Sequence, residues 1–321
     1  MALQSSSASE TLISKLTEHR ALIFDVYGTL VDWESAIHDV LILVFPDLPR
    51  REILVNYAAV EGNLQTQFPS TPYSKILELA YRQLTTPSGR TTAGVASGES
   101  KQEHRGFTSN VTVDGDAAST ALPSPPLALD DDALRFGRSI ATWKPFPDTI
   151  DALHRLKKHF ALIVLSNVDD ESFAGTHAQL CTPDYPGSAF PTVTSDSPFS
   201  LIFTAQQVGA YKPNPLMLQS ALRQLSANPN PLLPSNPGVG VDAAQVLVVA
   251  NSIHHDIIPA MQHGLRSVWI SRHGVNCNGN ESNVADSSDQ EGARGAGKYP
   301  YTWRYETLGR MADAMDAEMQ A

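Results

Sequence analysis

Cysteine is nearly absent: the 321-residue chain has two, Cys181 and Cys277. Two thiols far apart in sequence cannot frame a disulfide scaffold or supply a thiolate zinc site, and they suit a reducing compartment. Long apolar runs are missing too, so no segment reads as a membrane span, and the first residues, MALQSSSASETLISK, have neither the basic head nor the apolar core of a secretion signal. A cytoplasmic protein with a short disordered lead, residues 1–18, is the expectation. Basic residues are outnumbered, 23 against 34 acidic, giving a formal charge of -11. That balance disfavours nucleic acid and anionic membrane as partners, although a local positive pocket for a small anion is compatible with it. A homodimer is also compatible. What is plentiful is hydrophobic residue, 42% of the chain, enough for one sizeable core with insertions or for two domains.

Residues 21–33, ALIFDVYGTLVDW, organise the rest. An apolar run of strand length stops at Asp25, and Gly28 and Thr29 begin a turn. A carboxylate at the carboxyl end of a buried strand lies where open α/β sheets keep their chemistry. Alone it could be a nucleophile, a metal ligand, a general base or an ordinary turn residue.

Downstream, helical spacing of apolar residues predicts helices over 35–44, over a stripe from Ile53 to Leu64, and over a second from Tyr73 to Leu84, with Pro69 and Pro72 as breakers. Residues 86–130 turn Gly-, Ser-, Thr- and Pro-rich and read as a flexible insertion. A last helix near Asp131 to Ile140 and the crossing WKPFP close what reads as a helical cap, residues 33–142. The remainder, 19–32 and 143–321, alternates strand and helix: helix from Asp148, strand Ala161 to Leu165, strand Leu201 to Phe203, helix Pro215 to Leu225, strand Val246 to Val249, helix Asp256 to Gln262, strand Ser267 to Ile270 and a closing helix Glu306 to Glu318. Polar stretches 226–240 and 274–298 read as surface insertions. The expected fold class is α/β, a Rossmann-like parallel sheet with helices on both faces and an inserted helical cap.

Four strand ends then present Asp25, Ser166 with Asn167, Lys212 in a Tyr-Lys-Pro turn, and Asn251-Ser252 with Asp256. Each has a plain reading: Ser166-Asn167 as a helix cap, Lys212 as a solvated loop lysine, Asp256 as a first-turn acid. Their order is more informative, since it supplies a nucleophile, hydrogen-bond donors, a cation and an orienting carboxylate. His254 and His255 adjoin Asp256, but neighbours on a helix point in different directions and do not share a metal easily.

FDVYGTLVDW, LSN, YKP and ANSIHHDIIPA, in that order and with helices after the first, resemble the four motifs of the haloacid dehalogenase superfamily, and within it the L-2-haloacid dehalogenase branch and its fungal-type relatives. The resemblance implies Asp25 as nucleophile, Lys212 and Asp256 as its catalytic companions, and Tyr27, Thr29, Ser166, Asn167, Asn251 and Ser252 as substrate-contacting positions. It implies a hydrolase that displaces halide from a short 2-haloacid through an aspartyl ester. Phosphatases of the superfamily resemble Asp-x-Asp-Gly-Thr and hold magnesium with a carboxylate pair. Tyr27 and Asn251 replace two of those acids here, which weakens a site for a hard cation and removes a proton donor. No metal and no cofactor is therefore expected. A magnesium-dependent phosphatase and a non-catalytic binder remain the alternative readings. The chain departs from the branch in three places: no arginine occurs from Asn56 to Gln67, where the branch places its halide-binding residue, so that Arg82 is the nearest candidate; Leu218 stands for a tyrosine; and the order of the fourth motif differs.

Overall fold

The computed structural model describes residues 15–86, 127–181, 197–227, 240–272 and 300–321. Most of the insertion expected over 86–130, most of the stretches 226–240 and 274–298, and Cys277 lie outside the described residues. Six parallel strands form one sheet in the order β3-β2-β1-β4-β5-β6: β1 (Ala21–Phe24), β2 (Ala161–Ser166), β3 (Leu201–Thr204), β4 (Val246–Ala250), β5 (Arg266–Ile270) and β6 (Trp303–Tyr305). β1 is central, paired with β2 through Phe24↔Val164 and with β4 through Phe24↔Val249.

The three central strands read as unbroken apolar runs because both their faces are buried. Alternation sends Leu22, Phe24, Leu162, Val164, Leu247 and Val249 into one core and Ala21, Ile23, Ala161, Ile163, Val246 and Val248 into the other. The first core is closed by α5 (Thr149–Leu156) and α10 (Leu308–Gln320), through Leu153, Leu156, Met311 and Met315; the second is closed by α8 (Pro215–Ala227), through Met217, Leu218, Ala221 and Leu225. Leu218 is thus a core residue. Each such leucine or methionine, taken fully from water, contributes about 1.5–3 kcal/mol before chain entropy is counted.

Between β1 and α5 the chain inserts α1 (Trp33–Leu41), α2 (Arg50–Gln67), α3 (Tyr73–Thr85) and α4 (Leu127–Arg138). Asp32 caps α1 by accepting from Ser35 N at 3.0 Å, and Pro49 and Pro72 precede α2 and α3, where a missing N–H costs nothing. α3 and α4 run antiparallel: Gly137 lies against the Ser74 carbonyl, where a Cβ would come within 2.5 Å, while at the other end Arg82 Nη2 reaches Asp130 Oδ1 at 3.0 Å.

Several elements differ from expectation. Leu16–Glu18 is a short turn rather than part of a disordered lead, because Leu16 is buried and Thr17 N donates to Glu318 Oε2 at 3.1 Å. α6 (Asp170–Leu180) was not foreseen, being mostly polar, and neither was the three-residue β6. The segment expected to be helical from Asp256 starts three residues earlier as a π-helical turn, Ile253–Ile257, and continues as α9 (Ile258–Gln262) after the short α7 (Ala205–Val208) and α8.

Candidate active site

Asp25 follows the last residue of β1, and its N–H still donates to Val249 O at 3.2 Å, so the carboxylate is fixed by the sheet. The chain then folds back on itself, with Leu30 N and Val31 N donating to Val26 O at 2.7 and 3.0 Å. Gly28 sits at φ +94°, and a Cβ there would crowd Trp33 Nε1 at 3.1 Å and Asn251 Oδ1 at 3.3 Å. This turn brings Thr29 back beneath Asp25: Thr29 Oγ1 donates to Asp25 Oδ2 at 2.8 Å and accepts from Asn251 N at 2.8 Å.

Lys212 comes from the loop before α8, across a cis Lys212–Pro213 bond. Its ammonium donates to Asp25 Oδ1 at 2.7 Å, to Asp256 Oδ1 at 2.7 Å and to Leu165 O at 3.0 Å. Asn167 holds its backbone from both sides, accepting from Lys212 N at 2.6 Å and donating to Lys212 O at 3.1 Å. Asp25, Lys212 and Asp256 are 7%, 5% and 5% exposed, which makes this a dry cluster of two carboxylates around one cation. Burial alone would lower the lysine's pKa, but Asp25 and Asp256 outweigh it and raise it. Asp256 is pushed up to about 7, chiefly by burial, with Lys212 opposing and Asp25 adding to the rise.

Among the side chains expected to line the site, Ser166 ends β2 fully buried, and its Oγ has no hydrogen-bond partner among the described residues; the same holds for Asp256 Oδ2. Tyr27 instead turns toward α6, its hydroxyl 3.0 Å from Thr176 Oγ1 and its ring edge-on to Trp143. The Asn251 amide donates to Ile270 O at 2.8 Å, and Ser252 caps the turn after β4 by accepting from His255 N at 3.2 Å. These two position backbone with their side chains. Arg82 pairs with Glu78 and Asp130 on the inserted helices.

One residue at the site escaped the sequence reading. Arg272, just past β5, donates through Nε to Thr29 O at 2.8 Å, forks onto Asp148 at 2.8 and 3.1 Å, and lies over the Phe146 ring. Although burial alone would raise Asp148, the guanidinium holds its carboxyl below the usual value. The only sequence signal was a basic residue at a further strand end. Asp169 was missed as well: it caps α6 by accepting from Ser172 N at 2.9 Å and also accepts from Ser74 N at 2.8 Å, joining the start of α3 to the end of β2.

A divalent cation does not fit this donor set. Both inward carboxylate oxygens face the Lys212 ammonium, the Asn251 amide is turned to backbone, and among the described residues no three His, Cys, Asp or Glu side chains gather in a metal-holding group. His255 is held neutral, its pKa lowered to about 4 by burial and by Lys212, while His254 faces solvent.

The site thus joins a buried aspartate at the end of the central strand of a parallel α/β sheet, a lysine bridging it to a second acid, and helices inserted directly after the first motif. The chain belongs to the haloacid dehalogenase-like hydrolases, whose family model matches residues 19–266. Its fold is similar to that of the L-2-haloacid dehalogenase PA0810 (TM-score 0.56, 19% identity, covering 93% of this chain and 99% of that one). It is also similar to the L-2-haloacid dehalogenase of Xanthobacter autotrophicus (TM-score 0.55, 15% identity, 93% and 98%) and to the defluorinating L-2-haloacid dehalogenase Rha0230 (TM-score 0.55, 14% identity, 94% and 96%). No curated protein sequence matches the chain. Among the described residues no helix is long and apolar enough to cross a membrane.

Proposed function

We propose that the protein is a metal-independent hydrolase that displaces halide from a short 2-haloacid, with Asp25 as nucleophile. The observation that carries this reading is the Lys212 ammonium shared at 2.7 Å between two buried carboxylates, with a tyrosine, not a second acid, two positions after the nucleophile. An Asp25 oxygen attacks C2 of the substrate, and the carbon-halogen bond breaks with its electron pair leaving on the halide, which needs no proton. The aspartyl ester is then attacked at its carbonyl carbon by water. Its Cγ–O bond to the product breaks, the product alkoxide takes a proton, and Asp25 is restored with one oxygen from water. A 2-hydroxyacid with inverted C2 leaves.

In this reading Thr29 and Lys212 hold the nucleophile, the buried Ser166 Oγ donates to the substrate, and Asp256, whose Oδ2 has no partner among the described residues, takes the proton of the hydrolytic water. The reading of the inserted helices as a cap over this site rests on their tethers to the strand ends through Asp169 and Tyr27. One turnover of 2-chloropropionate in heavy-oxygen water with chelator present is expected to label Asp25 and to leave the product unlabelled, and Asp25→Asn is expected to release no halide. Label found only in the first-turnover product would sink the ester intermediate.

A further inference from the structure

The surface that the inserted helices turn toward the strand ends is aromatic and acidic. Glu61, near the middle of α2, accepts from the Tyr73 hydroxyl and pairs with Gln65 on its own helix; the Tyr73 hydroxyl also meets that of Tyr57. The Tyr73 ring lies 6.4 Å from that of Tyr27, two residues beyond Asp25. From the other side Tyr211, the residue before Lys212, donates to Thr71 O at 2.5 Å and lies near enough to Glu61 to feel its charge. Tyr73 thus links Glu61 to Tyr27, two residues beyond Asp25, while Tyr211, within reach of the same charge, adjoins Lys212.

No cation among the described residues of the inserted helices pairs with Glu61. Among the described residues of the inserted helices, Arg50, Arg51, Arg135 and Arg138 are exposed, and Lys75 and Arg82 are spent on Glu78. A carboxylate among tyrosine hydroxyls attracts a donor or a cation and repels an anion. Burial pushes Glu61 up to about 7, so above neutral pH it carries a charge that, among the described residues, meets hydrogen-bond donors but no cation.

We propose that Glu61, among Tyr57, Tyr73 and Tyr211, is a specificity site for an amine on the substrate, so that the preferred substrate is a short acid carrying an ammonium group beyond the reacting carbon. The proposal rests on Asp25 being the reacting centre, and it names what the opposite wall recognises.

Binding of two unreactive probes separates the two claims. At about pH 8, where the usual amine stays protonated, 3-aminopropionate and propionate are titrated against the full chain, read by tryptophan fluorescence. 3-Aminopropionate is expected to bind at least about tenfold more tightly, the worth of one charge pair or cation-aromatic contact. Glu61→Gln is expected to abolish that preference and leave propionate unchanged. Tyr73→Phe, which keeps the ring and removes the hydroxyl that holds Glu61, is expected to weaken it, and it stands in if Glu61→Gln fails to fold. Equal binding, preference for propionate, binding of neither probe, or a preference that survives both variants overturns the proposal. Because no chemistry is involved, a preference seen in a protein that leaves Asp25 unlabelled would keep this site and discard the dehalogenase reading.

Discussion

Replacing Lys212 with methionine removes the cation and keeps most of the volume. The ammonium has two carboxylate contacts at 2.7 Å and a carbonyl contact at 3.0 Å, in a cluster no more than 7% exposed. Two buried acids would be left without a counter-charge, and breaking a buried pair in this way costs about 3–5 kcal/mol. The cost has a pH signature. Asp256, already pushed up to about 7 by burial, loses the cation that opposes that rise, so in the variant it moves higher still above the unfolded value of 3.8 and the folded protein holds a proton that the unfolded chain has released. Stability then falls as pH rises through the interval between those values, by up to about 1.4 kcal/mol per pH unit for each proton held. Relative to the native chain, the loss should be about 1–2 kcal/mol at about pH 5, where protonation relieves the pair, and about 3–5 kcal/mol at about pH 8. Urea unfolding at both pH values measures it. A loss of equal size at both would refute the placement of Lys212 as sole counter-ion to the two acids.

Two further outcomes follow from the same geometry. Asp256 must be ionised to take a proton from water, so turnover should fall as pH drops through about 7, and Asp256→Asn should lose that limb and accumulate the covalent ester, seen as added mass on the intact protein; an unchanged profile counts against its role. Arg272→Met should cost about 3 kcal/mol by stranding Asp148 and should lower kcat more than KM by loosening the Thr29 turn, with Arg272→Lys restoring only part because it lacks the fork; equal effects on kcat and KM would make the residue merely structural.

The strand ends were legible because parallel strands buried on both faces have little choice of composition: ALIF, ALIVLS and VLVVA announce themselves, and the acid, lysine and hydroxyl that follow fall at one edge of the sheet. Side-chain direction was not legible. Asn251 and Ser252 stand beside Asp256 in sequence, yet their polar ends are taken by Ile270 O and His255 N, bonds that depend on β5 and on a π-helical turn that no local pattern announces. Arg272 and Asp169 were hidden for a related reason: each acts by joining segments far apart in the chain, Arg272 to Thr29 and Asp148, Asp169 to Ser74. Glu61 carries no local signal either, since Tyr73, which hydrogen-bonds it, starts the next helix and Tyr211 comes from beyond β3.

The antiparallel pairing of α3 with α4 settles what the chain between them costs. Arg82 and Asp130 hold the end of α3 beside the start of α4, like the two posts of one doorway. Joining two chain ends held together in this way costs entropy that grows only with the logarithm of the number of residues between them, so halving that number changes the cost by about 0.6 kcal/mol. A short Gly-Ser bridge across that doorway would give a trimmed protein with Asp25, Lys212 and Asp256 undisturbed, and the same doorway would accept a whole folded domain as readily.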